Sequence, residues 1–123
     1  MSEPSKPRSR LPEITASVHL RGSGTLMHPM QLAAEAYMQL HQDIAVTVAG
    51  SGTLRGIRAV IDATDDVGMA SSAIDSALQK YAKQKRVALR TTLIAYDAVV
   101  PVTHPGISIK GLSLQQVRDI FYW

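Results

Sequence analysis

One pattern in this chain occurs twice. The run Val18-His19-Leu20-Arg21-Gly22-Ser23-Gly24-Thr25-Leu26 is matched by Val46-Thr47-Val48-Ala49-Gly50-Ser51-Gly52-Thr53-Leu54, and both pass from a short apolar stretch through Gly-Ser-Gly-Thr-Leu into a helical pattern. The copies lie 28 positions apart, residue 22 against residue 50, a spacing that one strand–helix–strand unit can span. A strand that stops at a glycine-rich turn and restarts as a helix leaves the first helical N–H groups without intrahelical partners, and the helix dipole adds partial positive charge there. Each turn is therefore suited to an anion. One strand–helix–strand unit would set two such turns side by side on a single small anion.

The rest of the chain extends that alternation. Ile14, Ala16, Val18 and Leu20 alternate with mostly polar residues and predict a first strand over 14–20. The stretch Pro29–Leu40 is rich in helix formers, with Pro29 fitting a first helical turn and Met30, Ala33, Ala34, Tyr37 and Met38 on one face that would pack against a sheet. Ile44–Val48 is a second, β-branched strand, and a helix follows over about 54–63 with Ile57, Val60 and Ile61 directed inward. Asp66–Ser72 predicts a short third strand entering a third turn, then an amphipathic helix over 74–83 marked by Ile74, Leu78 and Tyr81. The apolar run Val87–Val102 predicts two strands with a bend, and Ser113 caps a closing helix to Phe121. The fold class is α/β, a mostly parallel sheet flanked by helices, whose ligands belong at the carboxyl ends of the strands. All three turns fall there.

Composition narrows the function classes. With 123 residues the chain is at most one domain, and no apolar run reaches the length of a membrane span. The net charge of +3 is divided between Lys6, Arg8 and Arg10 near the N-terminus and Lys80, Lys83, Lys85, Arg86 and Arg90 around one helix end, so no single basic stripe forms. With only 5% aromatic residues as well, nucleic acid is not an expected partner. The absence of cysteine removes disulfides, thiolate nucleophiles and cysteine metal sites. Residues 1–12 read as a disordered, proline-containing basic leader without a secretory apolar segment, which fits a cytoplasmic chain or one whose export signal has been removed.

The turns carry hydroxyls and amides in place of cations. In the first, Thr25 and the N–H of Leu26 are the expected contacts, with Ser23 and Gly24 shaping the loop; in the second, Gly52 and Thr53 with Ser51 behind; in the third, Ser71 and Ser72. Neutral donors of this kind suit a dehydrated tetrahedral oxyanion. Arg21, Arg55 and Arg58 flank the first two turns and would either add to the attraction or be solvated. Gly50-x-Gly52-x-x-x-Gly56 is one residue longer than the dinucleotide fingerprint, and neither turn has the Gly-Lys-Ser/Thr ending of a P-loop. His19, His28, His41 and His104 lack ligand spacing, and Asp65 and Asp66 are adjacent, so on a strand they would face opposite sides. Neither a metal site, nor a cofactor, nor a catalytic centre is expected.

Taken in order, Gly-Ser-Gly-Thr-Leu, the second turn Val46–Thr53 with Gly56-Ile57, Asp66-Val67-Gly68-Met69-Ala70-Ser71, and Lys110-Gly111-Leu112-Ser113-Leu114-Gln115-Gln116-Val117-Arg118-Asp119-Ile120-Phe121 resemble the phosphate-binding proteins of bacterial ABC transporters. The resemblance runs from Ile14 onward. It implies a periplasmic-binding-protein lobe, an inorganic phosphate ligand, a transporter permease as partner and a periplasmic or extracellular location. By position it puts Thr25 and Leu26 at the first contact, Thr53 at the second and Ser71 at the third. Some relatives place an aspartate at the third contact to accept a phosphate proton, where this chain has Ser71 and Ser72. The expected organisation is a leader over 1–12, a first lobe over 13–102, and the start of an incomplete second lobe or a C-terminal helix over 103–123. The alternatives are a structural or interaction module, pairing as a homodimer through an exposed lobe face, and binding of another oxyanion such as sulfate.

Overall fold

The 28-residue offset between the two turns is also the register of the sheet. In the computed structural model, which describes residues 11–122, β1 (Ala16–Gly22) and β2 (Ile44–Gly50) pair in parallel from Ala16↔Ile44 to Gly22↔Gly50. A third strand, β3 (Val67–Met69), pairs in parallel on the other side of β1 from Leu20↔Val67 to Gly22↔Met69, giving the order β2-β1-β3. All three strands therefore end at the same edge. The leader expected over 1–12 falls, for residues 1–10, outside the described residues.

Helices α1 (Gly24–Leu40), α2 (Thr53–Ile61) and α3 (Ser76–Gln84) connect and follow these strands. The first begins earlier than expected, because Ser23 accepts the Thr25 N–H and starts the helix at Gly24. Pro29 is consequently inside α1, where a missing N–H and a ring against the preceding turn interrupt the ladder. The expected apolar stripe does face the sheet: Met30, Ala33, Ala34 and Tyr37 line a cleft of ≈ 340 Å³ against Val18, Leu20 and Val46. Only Ala34 of α1 is buried, so this side is loosely packed.

The tighter core lies elsewhere. Ile57 and Ile61 of α2 and Ala82 of α3 are buried together, with Ile74, Leu78, Tyr81, Val87 and Leu89 around them. Each isoleucine contributes about 1.5–3 kcal/mol by leaving water. The Tyr81 hydroxyl donates to Asp62 Oδ1 at 2.6 Å, and the Arg58 guanidinium stands 4.9 Å from the Tyr81 ring centre, fastening α3 to the end of α2.

The two strands expected within Val87–Val102 are not formed; this segment has no regular structure. Val87 and Leu89 pack on the α2–α3 core, whereas Leu93, Tyr96, Val99 and Val102 are largely exposed. Apolar, β-branched sequence favours a strand only where another strand's backbone pairs with it. The chain divides into a compact unit up to Thr91 and a second unit from Thr92 onward. The second contains α4 (Leu114–Phe121), opened as expected by Ser113 in a reciprocal capping box with Gln116: the Ser113 Oγ accepts the Gln116 N–H, and the Gln116 side chain accepts the Ser113 N–H.

Candidate functional site: three turns at one edge of the sheet

Since β1 is central, the turn after it touches both others. The Ser51 and Gly52 N–H groups donate to the Gly22 carbonyl at 2.7 and 2.9 Å, and the Ser23 N–H donates to the Met69 carbonyl at 2.8 Å. These backbone bonds draw the three strand ends into one rim.

Side chains then tie the rim together. Ser23 is 5% exposed, and its hydroxyl donates to Ser71 Oγ at 2.9 Å while accepting the Thr25 N–H at 3.3 Å. The Ser71 N–H donates to Thr53 Oγ1 at 3.2 Å, and the two hydroxyl oxygens of Thr53 and Ser71 are 3.3 Å apart. Ser23, Thr53 and Ser71, one from each turn, thus form a single hydroxyl cluster, with the N-termini of α1 and α2 beside it. Hydroxyl donors and helix N-termini gathered without a fixed cation are the chemistry of oxyanion binding.

Not every expected residue joins this cluster. The Leu26 N–H is engaged by the Ser23 carbonyl at 3.2 Å. Ser72 is exposed, and Gly24 is the first residue of α1, with open space around it. Gly52 precedes α2 with φ +89°, a left-handed conformation that a side chain would oppose. Arg21 pairs with Asp65 at 2.7 Å, and Arg58 sits in the last turn of α2 beside Asp62, so neither serves the rim. Asp65 and Asp66 take separate partners, Asp66 accepting the His19 N–H at 2.8 Å. Among the described residues no group of three or more His, Asp or Glu side chains stands ready for a metal ion.

Two features have no clear signal in the sequence. One is Ser23, which links first and third turns; its Gly-Ser-Gly setting signals a loop but not a partner 48 residues away. The other is Gly56. A Cβ there would run into the Arg21 carbonyl oxygen and Gly22 Cα, so glycine lets α2 lie against the end of β1.

A parallel α/β unit with an oxyanion-type rim at its strand ends describes a class of binding domains rather than a protein. The family is given by the sequence: residues 11–122 match the PBP superfamily domain, and the chain belongs to that family. It is 29% identical over 107 residues to a phosphate-binding protein, PstS 2, of Streptococcus agalactiae, covering 87% of this chain and 34% of that protein. It is 30% identical over 101 residues to the phosphate-binding protein PstS of Pseudomonas aeruginosa, covering 81% and 31% respectively. Among solved structures, a phosphate-binding protein of a Streptococcus pneumoniae phosphate ABC transporter superposes with TM-score 0.50 and 28% identity, over 53% of this chain and 25% of that one. The chain therefore spans about a third of the length of the curated relatives it matches. All three are named as phosphate-binding proteins, the last of them of an ABC transporter.

Proposed function

We propose that this chain supplies one side of an inorganic phosphate site in the substrate-binding protein of an ABC transporter. The observation that carries this reading is the meeting of Ser23, Thr53 and Ser71 at one edge of the sheet. The phosphate oxygens would accept from the Thr53 and Ser71 hydroxyls and from the Thr25 hydroxyl at the start of α1. The names of the relatives support phosphate as the ion and a membrane permease as the recipient, which would place the protein on the periplasmic or extracellular side. Binding by this side alone is weak, because an ion held from one direction keeps much of its hydration.

Isothermal titration calorimetry with inorganic phosphate tests this, with Thr53→Ala as the comparison. The expected result is a measurable phosphate heat that Thr53→Ala reduces several-fold in affinity. Light scattering after gel filtration tests the rival reading as an interaction module. A dimer that forms equally with and without phosphate, in a protein giving no phosphate heat, would favour that rival.

A further inference from the structure

Away from the rim, charge is unevenly spread. Residues 76–96 contain Lys80, Lys83, Lys85, Arg86 and Arg90 and no aspartate or glutamate. All five cations are exposed, and among the described residues none of them is ion-paired. Leu78, Tyr81 and Ala82 turn α3 toward the α2 core, which leaves Lys80 and Lys83 on its outer face, three residues apart and so neighbours. The Tyr81 ring holds the Lys85 ammonium at 5.6 Å and the Arg58 guanidinium at 4.9 Å from its centre. Arg58 is offset by Asp62 at 3.6 Å, and the other cations have no such partner.

The helix end favours part of this charge and opposes another part. The negative end of the α3 dipole attracts cations in its last turn, which accounts for Lys83 and Lys85 but not for Arg90 beyond the helix. Arg86 runs against local preference. It follows the helix cap with φ +58°, its N–H donating to the Lys83 carbonyl at 3.1 Å and the Val87 N–H to the Ala82 carbonyl at 2.9 Å. This is the left-handed helix ending that glycine fits best. The patch also stands apart from the rim: α2 starts in the hydroxyl cluster at Thr53 and runs about 12 Å before Asp62 accepts the Tyr81 hydroxyl.

We infer that this end of α2 and α3 is an electrostatic docking surface for an anionic lipid bilayer, separate from the strand-end rim. A tightly bound protein partner needs buried apolar or aromatic anchors, and residues 76–91 expose no large apolar side chain. A base-stacking nucleic-acid contact needs a free aromatic face, whereas Tyr81, the one aromatic residue in that stretch, is bonded to Asp62 and flanked by cations. A bilayer needs only the cations. Its anionic headgroups are mobile and gather beneath exposed lysines and arginines, each of which strengthens binding about fivefold near the surface.

Co-sedimentation of the full chain with vesicles tests this, comparing phosphatidylcholine alone with equimolar phosphatidylcholine and phosphatidylglycerol at about 0.1 M salt. Binding is expected to the anionic vesicles alone, and to weaken about tenfold or more at about 0.5 M salt. The double variant Lys80→Gln with Lys83→Gln should bind about twentyfold more weakly. Arg86→Gly gives the sharper result: relief of the left-handed arginine should raise its melting temperature above that of the wild type, while its vesicle binding falls about fivefold. No binding, equal binding to both kinds of vesicle, or undiminished binding by these variants would overturn the lipid surface. Tighter binding to poly-glutamate than to vesicles at equal charge would assign the patch to an acidic protein and overturn the choice of a bilayer. Inorganic phosphate, matched in ionic strength by chloride, should release no more protein than chloride does. Selective release by phosphate would put headgroup phosphates in the rim, which overturns this surface and leaves the phosphate reading standing.

Discussion

The two Gly-Ser-Gly-Thr-Leu copies are identical in sequence and different in structure. In the first, Ser23 caps α1 with its side chain and the helix starts at Gly24. In the second the start moves one place: Gly52 is the cap residue at φ +89°, without a side-chain bond, and α2 starts at Thr53. The serines diverge accordingly. Ser23 Oγ is bonded twice, whereas Ser51 Oγ is buried without a partner.

The difference originates downstream of the repeat. Four residues after Gly52 the second copy has Gly56, which lets α2 touch the Arg21–Gly22 backbone; the corresponding position after Gly24 is His28, followed by Pro29. The first helix lies over an open apolar cleft, and the second is buried at Gly56, Ile57, Ala59 and Ile61. A five-residue motif specifies a turn, and the packing of the following helix specifies which residue caps it.

The largest effect should come from removing that close approach. Gly56→Ala places a methyl group against backbone of β1 and is expected to destabilise the first unit by about 3 kcal/mol, while His28→Ala, on a partly exposed turn of α1, should stay within about 0.5 kcal/mol. Chemical denaturation followed by circular dichroism measures both. Equal losses would show that the two helices contact the sheet alike.

The second glycines give opposite signs. Gly52→Ala forces a side chain into a left-handed conformation and should cost about 1–2 kcal/mol. Gly24→Ala, in the first turn of α1 with nothing near its Cβ, should gain about 0.5 kcal/mol. Thermal melts of the pair decide it, and a shared sign would mean that the caps are equivalent after all.

The serines provide the smallest contrast. Ser23→Ala loses a helix cap and is expected to cost about 1 kcal/mol. Ser51→Ala removes a buried hydroxyl that bonds to nothing, and should be neutral or stabilising by up to about 1 kcal/mol. Matching losses would assign Ser51 a partner that the folded chain does not show.

Much of this fold is legible because the repeat carries its own register. The offset that separates Gly22 from Gly50 is the offset of every pair between β1 and β2, so the parallel pairing and the common edge follow from the sequence pattern. The third turn is legible for a weaker reason, a strand-like run ending in two serines. The start of α1 is not, because Pro29 suits a first helical turn and the capping strength of Ser23 outweighs it. Val87–Val102 reads as strand and folds otherwise because a strand is a relation between segments, and a single segment does not state what pairs with it. Within the rim, residue types indicate Thr53 and Ser71; the direction of the hydrogen bonds and the central place of Ser23 depend on contacts across 48 residues.

The central claim is that three turns act as one side of one site. Amide proton–nitrogen spectra recorded through a phosphate titration address it directly, by following Thr25, Thr53 and Ser71 in the same samples. All three amides are expected to shift along one binding curve with a single dissociation constant. Shifts confined to one turn, three unrelated curves, or three unmoved amides would contradict it.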